Sequence, residues 1–346
     1  MRTGADSVEE SPTPGRAAVA LGLTAIGGDL EPVLQRGLDD VEELLRASVS
    51  SDFEFVGQAS RHLVEAGGKR FRPLLTLLAA QLGNSTAAGV VPAAVVVELT
   101  HLATLYHDDV MDEADVRRGA PSANSRWDNS VAILTGDFLF ARASDLLADL
   151  GPEAVRIQAR TFERLVTGQI RETVGPAADA DPVEHYLSVL TDKTGSLVAT
   201  AARFGAMFAG VPDPIRTGLT SYGEAVGIAF QISDDLLDIS SEQGISGKAP
   251  GTDLREGIAT LPILLARAGK DPAEAGLREL LAGPLIDPGV HAEALAGLRA
   301  SDAMVRAQSM LVRYVDRAKL TLEALPPGPV RDALSSLCDV MLDRTA

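Results

Sequence analysis

The sequence predicts an all-α protein, a single large helical bundle, on three observations. Apolar residues recur at three- and four-residue spacings from Leu30 almost to the C-terminus, runs alternating with a period of two are scarce, and aromatics make up only 4% of the chain. Residues 1–28, rich in Gly, Pro, Ala and Ser, are expected to form a mobile arm outside a helical domain of 29–346. The first helix follows: Leu34, Leu38, Val41, Leu44 and Leu45 share one face, with Asp39, Asp40, Glu42 and Glu43 between them. The same pattern predicts helices at about 52–66, 70–83, 91–116, 129–149, 152–174, 182–191, 195–209, 213–239, 257–268, 274–282, 289–323 and 327–344. Breaks such as Gly83-Asn84-Ser85, Val174-Gly175-Pro176 and Val211-Pro212-Asp213-Pro214 carry helix punctuation. A ligand site in such a bundle is built from side chains on facing helices.

Composition excludes several functions. The 346 residues carry 48 acidic and 31 basic side chains, a net charge of −17, and no basic stripe for a nucleic-acid backbone. One cysteine, Cys338, and five histidines supply neither an internal disulfide nor a zinc cluster. The most apolar stretches, around residues 74–80 and 92–105, are read as too short for a membrane span of roughly 18 apolar residues. With no compact apolar leader either, the expected location is the cytoplasm.

Two aspartate motifs carry most of the functional information. Asp108-Asp109-Val110-Met111-Asp112 and Asp234-Asp235-Leu236-Leu237-Asp238 each close a long apolar helical run. Positions i and i+4 share a helix face, which pairs Asp108 with Asp112 and Asp234 with Asp238, while Asp109 and Asp235 point about 100° away. Like charges so placed destabilise a helix unless a cation neutralises them. All-oxygen ligands without His or Cys favour a hard ion such as Mg²⁺, completed by water and phosphate oxygens.

Positive charge is concentrated where a diphosphate would need it. Gly67-Gly68-Lys69-Arg70-Phe71-Arg72-Pro73 puts three cations into a loop that enters a helix, and Arg117-Arg118-Gly119 follows the first aspartate motif by five residues. Lys193-Thr194-Gly195 and Gly247-Lys248 add weaker signals. Gln231 lies almost one turn before Asp234, and His101 two turns before Asp108.

Together these segments resemble the trans-isoprenyl diphosphate synthases, the polyprenyl synthetase family, over about residues 52–265. The resemblance rests on GGKRFRP at 67–73, HLATLYHDDVMDEADVRRG at 101–119, KTG at 193–195, GIAFQISDDLLD at 227–238, and Gly247-Lys248 with Gly251-Thr252-Asp253-Leu254. It is greatest toward the long-chain enzymes that supply quinone side chains, menaquinone among them. It implies the isoprenoid synthase type of bundle, with a central cavity, working as a homodimer. It also implies an enzyme that adds isopentenyl diphosphate to an allylic diphosphate, farnesyl or geranylgeranyl, and releases pyrophosphate.

The resemblance implies roles as well. Asp108, Asp112, Asp234 and Asp238 would bind Mg²⁺, three ions per site, with Mn²⁺ as a substitute. Arg117, Lys193 and Lys248 would hold the allylic diphosphate. Lys69, Arg72, His101 and Arg118 would hold isopentenyl diphosphate, with Thr194 and Gln231 as polar contacts near the reacting centre. Asp108, Asp112, Lys193 and Asp234 would form the catalytic set. One departure is Gly257-Ile258-Ala259-Thr260, where Ile258 stands in place of the family's usual lysine.

Helix geometry suggests the product length. Thr104 lies one turn, about 5.4 Å, below Asp108, with Ala103 beside it, and both are small. An open channel there predicts products of about 30 to 50 carbons, since each turn is close to one isoprene unit. Tyr106 points elsewhere. Four alternatives remain: a shorter-chain farnesyl or geranylgeranyl diphosphate synthase, a class I terpene cyclase, a non-catalytic partner subunit, and a helical protein that only binds Mg²⁺, which would leave the basic segments unexplained. The second DDxxD motif and the few aromatics disfavour the cyclase. Retention of both motifs disfavours the subunit.

Overall fold

The computed structural model describes residues 30–241 and 250–345, so the expected arm at 1–28 and Lys248 lie outside the described residues. The chain is all-α as expected. Its first half forms α1 (Leu30–Ser48), α2 (Glu54–Glu65), α3 (Phe71–Ala80), α4 (Val90–Met111), a ribbon of β1 (Val116–Arg117) and β2 (Ala120–Pro121), α5 (Ala123–Arg126), α6 (Asn129–Leu150) and α7 (Pro152–Val174). Next come α8 (Pro182–Leu190), a π-helical turn (Thr191–Gly195), α9 (Ser196–Phe208) and α10 (Asp213–Ser240). The remainder is α11 (Thr252–Glu256), α12 (Leu261–Arg267), α13 (Ala275–Leu280), α14 (Pro288–Ala300), α15 (Asp302–Thr321) and α16 (Pro329–Asp343).

Composition decides which helix is central. α4 is apolar all round, so it can be stable only when surrounded, and it packs against α1, α3, α6 and α9. At 22 residues it is long and apolar enough to cross a membrane, contrary to the sequence reading that no stretch reaches that length. Its apolar window is 72% buried inside the protein, the position of a core helix. α10 packs against α9 on one side and α15 on the other, and Tyr222 on α10 donates to the Leu334 carbonyl at 2.6 Å, which fixes α16 beside it. The last turns of α4 and α10 carry the two aspartate motifs, and Asp108 and Asp234 border one cavity.

Several helix boundaries differ from expectation. The helix predicted over 91–116 stops at Met111, because Glu113 takes a left-handed conformation (φ 50°) and the chain turns into the ribbon. The ribbon's two-residue loop, Arg118-Gly119, has positive φ at both positions (55° and 77°), as a tight hairpin loop that follows strand twist requires. The segment 289–323 divides at Ser301, which is extended (φ −80°, ψ 155°) and starts a new helix at Asp302. The helix expected at 257–268 begins only at Leu261, after Gly257 at φ 75°.

Candidate active site

A cavity of about 440 Å³ opens where α3, α4, the ribbon, the π-helical turn and α10 converge. From α4 it receives Glu98, His101, Thr104, Leu105 and Asp108, a stripe at helical spacing. The loop before α3 contributes Lys69 and Arg70, the first turn of α3 Arg72, the ribbon Arg117 and Arg118, the π-helical turn Lys193 and Thr194, and α10 Phe230, Gln231 and Asp234. Leu165, Leu197 and Val198 add apolar wall. The cavity thus gathers most of the residues singled out in the sequence.

Three of those residues are placed elsewhere, and a fourth is not among the described residues. Lys248 lies outside the described residues. Asp112 is exposed at the C-terminal cap of α4, its amide bonded to the Asp108 carbonyl at 2.8 Å. Asp238 accepts the backbone amides of Thr252 and Asp253, each at 3.1 Å, so its carboxylate caps α11. Ala103 is fully buried and does not line the cavity, and its carbonyl lies against Gly136 of α6. Tyr106 points away, as expected, donating to the Ala59 carbonyl at 2.6 Å.

The second aspartates have structural partners. Asp109 is buried and takes Arg117 Nε at 2.5 Å, which ties the ribbon to α4. Asp235 is buried and accepts from the Tyr186 hydroxyl and from Gln231 at 3.2 Å; burial pushes its carboxyl up to about 7. Asp108 faces the cavity, where burial lifts its carboxyl to about 6, Lys193 opposing the rise and Asp112 adding to it. Carboxylates in the last turn of α4 also face the negative end of the helix dipole, which a cation would relieve.

The cationic wall is held by buried carboxylates. Arg70, at φ 46°, turns inward to bond Glu42 and to donate to Glu98 at 2.9 Å and the Val64 carbonyl at 3.1 Å. Arg118 donates to the Leu63 carbonyl at 3.0 Å and passes close over Gly68, where a Cβ would lie 2.8 Å from its guanidinium carbon. Burial lowers the pKa of Arg72 to about 10, and its buried Nε has no hydrogen-bond partner among the described residues. Burial and the surrounding guanidiniums depress His101 well below the usual imidazole value, so it is neutral at pH 7. A wall with an unpartnered buried donor and several closely spaced cations has the chemistry to receive a multivalent anion.

No group of three or more His, Cys, Asp or Glu forms a closed metal cage among the described residues. The donors fit an open arrangement instead: oxygen ligands on two facing helices, completed by a diphosphate. Asp234 already takes a cation, since Arg344 Nη2 stands 2.7 Å from its Oδ1.

The polyprenyl synthetase family model matches residues 53–295. The chain belongs to the polyprenyl synthetase family. It is 50% identical over 329 residues to a nonaprenyl diphosphate synthase of Mycobacterium tuberculosis, covering 95% of this chain and 98% of the relative. Among solved structures it resembles a geranylgeranyl pyrophosphate synthase from Corynebacterium glutamicum complexed with calcium and isoprenyl diphosphate. The TM-score is 0.84 and the identity 48%, over 92% of this chain and 98% of that one. It also resembles a decaprenyl diphosphate synthase from Rhodobacter capsulatus, with a TM-score of 0.83 and 34% identity over 96% and 100%. The protein is therefore a trans-prenyltransferase.

This polyprenyl synthetase has site residues that sequence reasoning missed. Glu98 carried a signal, a lone glutamate within the apolar run 90–105 and one turn before His101. Phe230, stacked on Phe71 at 5.5 Å, had only its place one turn before Asp234. Arg344 had none, because nothing local reports that the end of α16 reaches α10.

Proposed function

We propose that this polyprenyl synthetase condenses isopentenyl diphosphate with farnesyl or geranylgeranyl diphosphate. The product is a long all-trans polyprenyl diphosphate of about 30 to 50 carbons, serving isoprenoid quinone (menaquinone) synthesis. The observation that carries this reading is the placement of Asp108 and Asp234 on the same cavity as Lys69, Arg72, Arg117, Arg118 and Lys193. Two anionic substrates fit a wall with two cationic sides.

Asp108 and Asp234, with Asp112 and Asp238 behind them, would hold Mg²⁺, three ions per site, with Mn²⁺ able to substitute. Bound there, the ions would stabilise the charge that develops on the departing diphosphate. Arg117, Lys193 and Lys248 would orient the allylic diphosphate, and Lys69, Arg72, His101 and Arg118 the isopentenyl diphosphate. The allylic carbon–oxygen bond breaks with its electron pair leaving on pyrophosphate. The isopentenyl double bond then attacks the allylic carbon, and a proton is lost to the departing pyrophosphate. Thr194 and Gln231, which also line the cavity, would be polar contacts near the reacting centre. Leu105, Leu165, Leu197 and Val198 would exclude water from the growing tail.

The likeness to the C. glutamicum enzyme supports a second reading, a twenty-carbon product. Exposed Ile133 and Leu134 on α6 favour assembly as a homodimer, and the composition favours the cytoplasm. The test is incubation with Mg²⁺, labelled isopentenyl diphosphate and allylic primers of ten, fifteen and twenty carbons, followed by sizing. A metal-dependent ladder ending between 30 and 50 carbons supports the long-chain reading. A stop at twenty supports the second reading, and no incorporation with any primer overturns both.

A further inference from the structure

Lys193 and Thr194 reach the cavity from a turn that is π-helical, inserted between α8 and α9 so that Pro182–Phe208 is one rod with a widened middle. Such turns are rare, and backbone groups displaced from α-helical pairing need outside support. Side chains supply it here. Thr191 Oγ1 donates to the Leu187 carbonyl at 2.7 Å and Ser196 Oγ to the Asp192 carbonyl at 2.6 Å. Arg164 Nη2 donates to the Thr191 carbonyl at 3.2 Å.

The same guanidinium does two further things. Its Nε bonds Asp192 Oδ1 at 2.9 Å, and its Nη2 bonds Glu224 Oε2 on α10 at 3.0 Å. One planar fork therefore joins α7, the π-helical turn and α10. The rest of the grip comes from the same face of α7, at helical spacing. A Cβ at Gly168 would lie 2.6 Å from Lys193 N, so the two backbones meet there. Arg171 takes the other oxygen of Asp192 at 2.7 Å, and Glu172 takes the Lys193 ammonium. On the opposite side a Cβ at Gly227 would lie 2.9 Å from Gly195 Cα.

We infer that Arg164 is a positioning residue for the allylic-diphosphate half of the site: through Asp192 and the Thr191 carbonyl it fixes the π-helical turn that presents Lys193 and Thr194. Arg164 is not among the residues lining the cavity. Its ion pairs are 39% exposed on the arginine side and individually weak, so its effect is on geometry more than on stability. A lysine cannot replace it, because a single ammonium cannot reproduce the planar fork on three acceptors. The isopentenyl half of the site rests on α3, α4 and the ribbon, which Arg164 does not touch.

The inference rests on the proposed function, and the experiment separates the two. Full-length wild type, Arg164→Met, Arg164→Lys, Asp192→Asn and the Arg164→Met/Asp192→Asn double variant are compared by thermal melting. Steady-state kinetics follow with each substrate varied, together with metal-free calorimetry of isopentenyl diphosphate. The expected result is a fall of about ten- to a hundredfold in kcat/KM for the allylic primer in Arg164→Met, the scale of a misplaced binding group. Arg164→Lys recovers little, and the double variant is no worse than Arg164→Met. Isopentenyl diphosphate affinity stays within about twofold. Unchanged allylic kinetics in a folded Arg164→Met would overturn the inference, as would a loss shared equally by both substrates. Wild type that transfers no isoprene to any primer would instead overturn the proposed function.

Discussion

Arg344, near the C-terminus, holds Asp234 on the active-site cavity at 2.7 Å, and its guanidinium also lies over the Phe230 ring, 5.4 Å from the centroid. Lys69 lies 5.7 Å from the same ring. The end of the chain thus supplies a cation to a carboxylate expected to bind metal. Arg344 and a divalent ion would compete for the charge of the Asp234 carboxylate. Because the pair is partly exposed, 26% on Arg344 and 38% on Asp234, the competition is worth no more than about 1 kcal/mol, or about fivefold. Arg344→Met is therefore expected to lower the Mg²⁺ concentration for half-maximal condensation by about two- to fivefold. A Mg²⁺ titration of product formation checks this. An unchanged or higher requirement would show that the contact does not compete with metal.

Neighbouring cations in the GGKRFRP segment are expected to behave oppositely. Arg70 is 6% exposed and neutralises Glu42 and Glu98, themselves at 8% and 2%. Removing it leaves Glu42 with only the exposed Arg46 at 3.3 Å and Glu98 with only Arg118 at 3.9 Å, so Arg70→Met is expected to lose about 3 kcal/mol of stability. Lys69, one residue earlier, faces the cavity beside Arg344, and burial already lowers its pKa. Lys69→Met is expected to change stability by less than about 0.5 kcal/mol while weakening isopentenyl diphosphate binding. Urea unfolding of both variants, with calorimetry on Lys69→Met, tests the contrast; equal stability losses would refute it.

That contrast also marks what the sequence could and could not reveal. The cavity stripe on α4 was legible because Asp108, Thr104 and His101 recur at helical spacing in one segment. The inward turn of Arg70 was not, since it depends on a left-handed backbone and on Glu42 from a helix 28 residues away. The ribbon escaped because two-residue strands leave no alternation to read, although it sets Arg117 against Asp109. The break at Ser301 carries no proline or glycine; the Ser301 hydroxyl donates to the Leu298 carbonyl at 2.7 Å, and Glu274, distant in sequence, takes the Asp302 amide at 3.4 Å. The burial of Ala103 against α6 is likewise a fact of packing that spacing along α4 could not decide.

His101 gives a prediction with a definite sign. Burial first, then Arg72, Arg118, Arg70 and Arg117, hold its folded pKa well below the usual imidazole value of about 6.5. As pH falls below about 6.5 the unfolded chain binds a proton that the folded chain refuses, so stability is lost toward acid and is fully present above that value. The raised carboxyls of Asp108 and Asp235 act in the opposite direction over the same range, so the measurement is a difference. Wild type is expected to lose stability relative to His101→Gln between about pH 6.5 and 5, by up to about 1.4 kcal/mol per pH unit. Parallel stability–pH curves for the two proteins would mean that His101 titrates normally.

Product length provides the last test, because Thr104 and Ala103 are neighbours in sequence with different surroundings. Thr104 lines the cavity one turn from Asp108, its hydroxyl donating to the His101 carbonyl at 2.8 Å, so a larger side chain there projects into the space a tail would fill. Ala103 is fully buried in the core, with its carbonyl against Gly136 of α6, so a phenylalanine there must displace the helices packed on α4. Overpacking of that kind costs about 1–3 kcal/mol. Thr104→Phe is therefore expected to shorten the products with little change in melting temperature. Ala103→Phe is expected to lower the melting temperature first, with any change in product length following from movement of α6. Sizing of dephosphorylated products beside melting curves distinguishes the two. If Ala103→Phe melts normally and shortens the product while Thr104→Phe does not, the tail runs between α4 and α6, and the floor of the cavity must be assigned to the residues on that side.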